Sequence, residues 1–227
     1  MESLCTAQLR LLWKDKEKVL LLLLLRELEI YDNRIVDIGK DTFKGLTNLK
    51  SLNMDFNRVA ELPDGVFRDL EHLQYLILSN NKLKTMSTEV FQHLSKLDWL
   101  NLENNMITTI ETEIFDHGLT SLSTLKLTNN RIGEIPNGLF SLMIQLRELH
   151  LDGNRNITLH KDSFVGLDNL ENLYLLRNDI TSEWANFDSP QDSPCPPLGR
   201  YRILFKSYWY NCFSTYFCWL FILRCVS

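Results

Sequence analysis

At Leu25, Leu49, Leu73, Leu97, Leu122, Leu146 and Leu170 the chain opens a segment of the form L-x-x-L-x-L/I/M-x-x-N, and the openings lie 24, 24, 24, 25, 24 and 24 residues apart. A period this constant constrains the fold more than any other feature. A unit of that size cannot bury its own apolar side, whereas stacked units share one continuous core, so the period predicts a solenoid.

The third copy shows the local logic. Leu76 and Leu78 stand two apart, so in an extended strand both point to one face, while Tyr75, Ile77 and Ser79 point to the other. The last position of the motif is Asn33, Asn57, Asn81, Asn105, Asn130, Asn154 and Asn178 in turn. Stacked amides at such a point can bond the backbone groups left over where each strand turns out of the sheet. Ten residues after each of the first six asparagines comes Phe43, Phe67, Phe91, Phe115, Phe140 or Phe164, and three further on usually Leu or Met: Leu46, Leu70, Leu94, Met143 and Leu167. These side chains are expected to fill the back of each coil. Parallel strands about 4.8 Å apart give a sheet roughly 29 Å long over six spacings.

Residues 25–181 resemble the leucine-rich repeats of the 24-residue "typical" class, with an F-x-x-L back and with Pro63 and Pro136 in the family's convex position. The resemblance implies an α/β solenoid, a curved horseshoe with a parallel β-sheet on its concave face. It also implies a ligand-binding ectodomain, since this class is common in Toll-like receptors, small matrix proteoglycans, Slit-type axon-guidance proteins and lamprey variable lymphocyte receptors. Two copies depart from the template. His117-Gly118-Leu119 carries one extra residue, a detour that the glycine eases, and in Asn154-Arg155-Asn156-Ile157-Thr158 the apolar residue falls one place late, so the local backbone should differ.

The flanks behave differently. Residues 1–24 read as an irregular apolar cap over the first coil. The apolar run Val19–Leu25 is followed by Arg26-Glu27 where a signal peptide needs small residues, and cleavage there would delete the first strand. A gene model starting too late is the alternative. Residues 182–206, with Pro190, Pro194, Pro196 and Pro197, read as a linker. Residues 207–227 form an aromatic hydrophobic tail that fits a short membrane segment, a stretch packed on the last coil, or translation past the true exon. The five cysteines, Cys5, Cys195, Cys212, Cys218 and Cys225, lie outside the repeats with no C-x-x-C. They specify neither a disulfide framework nor a zinc site.

With one face of the sheet in the core, function is expected on the outward positions, the second, fourth and sixth after each opening leucine. These 21 positions match the ~20–30 residues that one side of a standard protein interface uses. Tyr75, Ile77 and Trp99 fall on adjacent strands, where the template requires no apolar group, and exposed aromatics are the usual anchors of an interface. Phe56, one place past its strand, extends the patch, and Asn53, Asn101, Glu103, Lys126, His150 and Tyr174 complete the candidate ligand-binding set. Six acids (Glu27, Glu29, Asp55, Glu103, Glu148, Asp152) against Lys126 on this face, and a net charge of −5, favour a partner with a basic patch and disfavour nucleic acid. Glu148, His150 and Asp152 stand too far apart along a strand for joint metal ligation. No metal and no cofactor are expected.

No G-x-S-x-G, H-E-x-x-H, G-x-x-x-x-G-K or G-x-G-x-x-G occurs, and the histidines are scattered over coils and faces, so an enzyme is not expected. Asn156-Ile157-Thr158 is a glycosylation sequon. The sequence therefore predicts a non-enzymatic protein- or peptide-recognition module at the cell surface or outside the cell. The tail offers a route to membrane association. The alternatives are a structural or self-associating matrix protein and a cytoplasmic repeat adaptor.

Overall fold

A computed structural model describes residues 23–115, 118–154, 156–182 and 202–203. Short strands recur once per coil: β1 (Glu27–Glu29), β2 (Ser51–Asn53), β3 (Tyr75–Ile77), β4 (Trp99–Asn101), β5 (Thr124–Lys126), β7 (Glu148–His150) and β9 (Asn172–Tyr174). They pair in parallel in sequence order, with Glu27, Ser51, Tyr75, Trp99, Thr124, Glu148 and Asn172 forming one register column. Every neighbour in that column is one repeat away, so the sequence period is the sheet register. A further strand, β11 (Arg202–Ile203), lies within the stretch read as a linker and pairs with β9. Residues 1–22 of the cap, the cysteines and the aromatic tail lie outside the described residues.

The asparagine ladder forms as the motif predicts. Asn81 donates its amide to the carbonyls of Met54 in the preceding coil (3.0 Å) and of Leu78 and Ser79 in its own, and its Oδ1 accepts the Val59 N–H at 3.0 Å. Asn57, Asn105, Asn130 and Asn154 repeat this arrangement, each with its Oδ1 on the amide two residues past the previous asparagine. In the late-shifted sixth coil the pattern changes as expected. Asn178 Oδ1 takes the N–H of Asn154 itself, Ile157 fills the buried place, and Asn156 turns to a left-handed φ of 56° to reach it.

Behind the sheet, the F-x-x-L segments turn through i→i+3 bonds: Leu70 N–H to Phe67 O, Leu94 to Phe91 and Met143 to Phe140 at 2.9–3.1 Å. So little chain separates each asparagine from the next strand that the back closes in turns. Among the described residues the regular elements there are one 3-10 helix (Thr112–Phe115) and a small parallel sheet, order β10-β8-β6, of Glu134–Ile135 (β6), Thr158–Leu159 (β8) and Thr181–Ser182 (β10). Phe43, Phe67, Phe91, Phe115 and Phe140 are buried in a spine. Their rings stack at 5.8 Å (Phe43 on Phe67) and 6.3 Å (Phe115 on Phe140), and Phe140 meets Phe164 at 6.4 Å. Strands approach to about 4.8 Å. Each coil is therefore a wedge with its thick end at the phenylalanines, and stacked wedges bend the ribbon with the sheet on the inside.

Gly118 does more than ease the detour. It is buried, and a Cβ there would overlap the Phe91 carbonyl of the neighbouring coil. The extra residue of the fourth coil is thus accommodated by backbone packed on backbone, which only glycine permits.

Candidate functional site

The inside of the bend is formed by the second and fourth positions after each opening leucine. Register places Tyr75 beside Trp99 and Ile77 beside Asn101 on β3 and β4, so these four form a continuous patch. Tyr75 is 43 % exposed, and Ile77 and Trp99 are half-buried. Lys126, register partner of Asn101, reaches diagonally back so that Nζ lies 4.9 Å from the Trp99 ring centroid. That is a cation–π contact. Thr124, the register partner of Trp99, is buried, a correction to its expected outward position.

On the next strands His150 stacks on Tyr174, with ring centroids 4.1 Å apart and 11° between planes, and its Nε2 lies 3.5 Å from Glu148 Oε2. Burial lowers the His150 pKa from its ordinary 6.5. The Glu148 hydrogen bond and the charges of Glu148 and Glu103 oppose that shift, and Lys126 reinforces it. The ring is thus held toward its neutral form. Lys126 and His150 are themselves register partners, so the Trp99–Lys126 and His150–Tyr174 pairs adjoin.

Several polar positions serve the scaffold. Asn53 donates to Glu29 Oε2 (2.8 Å) and accepts from Asp55 N–H, and Asn101 accepts from Glu103 N–H (2.9 Å). Asp55 Oδ1 receives Ser79 Oγ and the Asn80 amide at 2.8 Å and the Phe56 N–H at 3.0 Å, which buries Ser79 instead of presenting it. Asp152 accepts the Leu176 N–H. Glu29, Asp55 and Asp152, three of the six acids, are therefore occupied in holding adjacent coils together, and Glu148 lies 3.5 Å from the Asn172 amide of the next coil. The strands end at the fourth position, so sixth-position residues belong to the asparagine turn, where Asp55 and Asp152 accept backbone N–H groups and Ser79 bonds Asp55, while the buried Thr128 hydroxyl has no partner among the described residues.

One property of that turn is invisible in the leucine pattern. The residue before each ladder asparagine is left-handed: Asp32, Phe56, Asn80, Asn104, Asn129, Gly153 and Arg177, with φ between 51° and 67°. Asp, Asn and Gly tolerate this conformation, but a bulky side chain there is an outlier. Phe56 is nonetheless 57 % exposed at the rim, lining a shallow cleft of about 410 Å³ with Asp32, Arg34, Arg58 and Asn80. Only alignment of the seven turns reveals it, as an aromatic where most copies have Asn, Asp or Gly.

Asn156 is exposed next to Ile157, which is fully buried. Among the described residues no cluster of His, Cys, Asp or Glu has the grouping of a metal site, and no helix is long and apolar enough to cross a membrane.

The leucine-rich repeat family model matches the chain over residues 24–83, 48–107, 102–155 and 120–180. The chain belongs to the leucine-rich repeat family. Among solved structures similar to it, TLR13 in a complex with ssRNA13 is 32 % identical, with a TM-score of 0.65 over 69 % of this chain and 22 % of its own. An internalin of Listeria monocytogenes is 28 % identical (TM-score 0.57, over 74 % of this chain and 46 % of its own). The ectodomain of the Arabidopsis thaliana receptor kinase GASSHO1/SCHENGEN3, solved with CASPARIAN STRIP INTEGRITY FACTOR 2, is 31 % identical (TM-score 0.57, over 68 % of this chain and 18 % of its own). This leucine-rich repeat chain thus spans between 18 % and 46 % of the length of these proteins. No significant match is found among curated proteins. The fold and these neighbours, receptor ectodomains among them, are consistent with protein–protein recognition.

Proposed function

We propose that this leucine-rich repeat chain is a non-enzymatic recognition module that grips a protein or peptide on its concave sheet, outside the cell or at its surface. The observation that carries the reading is the register-locked patch of Tyr75, Ile77, Trp99 and Asn101, with Lys126 braced on the indole. An aromatic–aliphatic centre rimmed by polar groups is the composition of an interface hot spot. Asn53, Glu103, His150 and Tyr174 form the polar surround, and Phe56 extends the surface toward the rim. Glu27, Glu29 and Glu148 leave the inner face acidic, which steers a partner bearing basic residues toward it.

Rigidity is the mechanism. Every strand is tied to its neighbours by backbone pairs and an amide ladder, so docking orders little that folding has not already ordered. Tyr75→Ala with Trp99→Ala should lower capture of the partner from cell-surface extracts about thirtyfold or more, the loss of ~2 kcal/mol typical of a hot spot. The melting temperature should be little changed. Equal capture by the double variant refutes concave recognition. Export and glycosylation at Asn156 are read out by a glycosidase-sensitive mobility shift of the secreted chain that Asn156→Gln abolishes.

A further inference from the structure

A second surface lies off the concave sheet. The residue after each ladder asparagine is Arg34, Arg58, Lys82, Met106 and Arg131 in the first five coils, and the four cations are exposed. Their backbones are in register: Arg58 N–H bonds Ile35 O, Lys82 N–H bonds Val59 O and Arg131 N–H bonds Ile107 O, at 2.8–2.9 Å. Lys84, two residues past Lys82, is exposed on the same side of this extended stretch, and so is Val36, at 47 %, two past Arg34. In a chain of net charge −5, the first three coils thus present a column of cations one coil apart. Arg68 and Arg147 are paired with Asp41 and Glu171, but Arg34, Arg58, Lys82 and Lys84 make no ion pair among the described residues. Phe56, left-handed and exposed, shares the cleft with Arg34 and Arg58.

We infer that this rim is a binding site for an acidic peptide segment that runs across the coils, its carboxylates on Arg34, Arg58 and Lys82 and an apolar side chain on Phe56. The shape of the charge selects that partner. The column is one residue wide, with exposed Asp32 on its strand side and exposed Asp37 and Glu61 beyond it, so a flat anionic membrane would meet acids as well as cations. A narrow ligand following the column avoids Asp37 and Glu61 and meets Asp32, which lines the cleft with Phe56, Arg34 and Arg58. Alternate residues of an extended peptide lie about 6.6 Å apart, against coils about 5 Å apart, a mismatch that long Arg and Lys side chains absorb. A dense polyanion such as nucleic acid is repelled by the net negative charge more strongly than a short peptide. Phe56 and Val36 offer nothing to phosphate or sulfate but seat an aliphatic group.

The test uses the full-length chain and a short labelled peptide with glutamate at alternate positions and one central leucine, followed by fluorescence anisotropy. Binding should weaken with salt, vanish when the glutamates are replaced by glutamine, and fall about tenfold in the R34Q/R58Q double variant, the sum of two exposed ion pairs. Phe56→Asn should also weaken binding while raising the melting temperature, which separates loss of contact from loss of fold. The Y75A/W99A variant should bind this peptide normally, so the rim and the concave patch fail or succeed independently. Absence of binding, equal binding by R34Q/R58Q, or tighter binding of a single-stranded oligonucleotide or of phosphatidylserine vesicles overturns the assignment.

Discussion

Phe56 is a residue whose local conformation conflicts with its type. Its φ of 51° sits where the equivalent turns carry Asp32, Asn80, Asn104, Asn129 and Gly153, and only Arg177 is comparably ill suited. A left-handed residue with a Cβ costs roughly 1–2 kcal/mol, and asparagine recovers part of that through its short polar side chain. Phe56→Asn should therefore raise stability by about 1 kcal/mol in urea unfolding, and an unchanged or lower midpoint would contradict the strain. His150 makes a pH prediction. Because burial against Tyr174 puts its pKa below 6.5, the unfolded chain takes up a proton before the folded chain does. The stability it contributes is complete above that value and lost as pH falls through it toward the folded-state pKa. His150→Gln should flatten the stability curve in that window, as followed by thermal melting across a pH series.

Among elements, the fourth coil shows how an irregular sequence keeps a regular sheet. Its extra residue is absorbed behind the strands, so Trp99 still faces Thr124, and the closure rests on Gly118 packed against the Phe91 carbonyl. Gly118→Ala should cost about 3 kcal/mol, the upper end of overpacking, since neither backbone can yield without moving a strand. Chemical denaturation measures it, and a loss under about 1 kcal/mol would show that the coil relaxes. The strands, the asparagine ladder and the phenylalanine spine were legible in the sequence because each is a repeated choice of residue imposed by a repeated environment. What stayed illegible depends on neighbours one coil away. Thr124 and Ser79 obey the alternation yet are covered, one beside Lys126 and Trp99, the other by bonding Asp55. The His150–Tyr174 and Lys126–Trp99 pairs likewise join residues that no single repeat contains.

For the whole molecule, strand pairing among the described residues runs between neighbouring coils, so stability is close to a sum of coil and seam contributions and a lesion in the middle need not be felt equally at both ends. Phe91 sits at that middle and is fully buried. Phe91→Ala should cost about 3–5 kcal/mol. Hydrogen exchange should then show amides of β3, β4 and β5 losing protection before those of β1 and β9. Uniform loss across all strands would instead mark a single cooperative block. At this scale the fold could be read from the period alone, whereas the ligand could not, because the period says where side chains point and leaves their identity free.

Each seam between coils takes its amide from the later asparagine and its carbonyl from the earlier strand, as when Asn81 bonds Met54 O and receives Val59 N–H. A duplicate of residues 73–96, spliced in after itself, would arrive carrying both halves of that joint and would lengthen the ribbon by one step without orphaning a donor. At the sixth coil only one half of the joint changes, since Asn178 still bonds Leu151 O but receives the N–H of Asn154 itself. Growth of such a chain by tandem duplication is thus open through its middle.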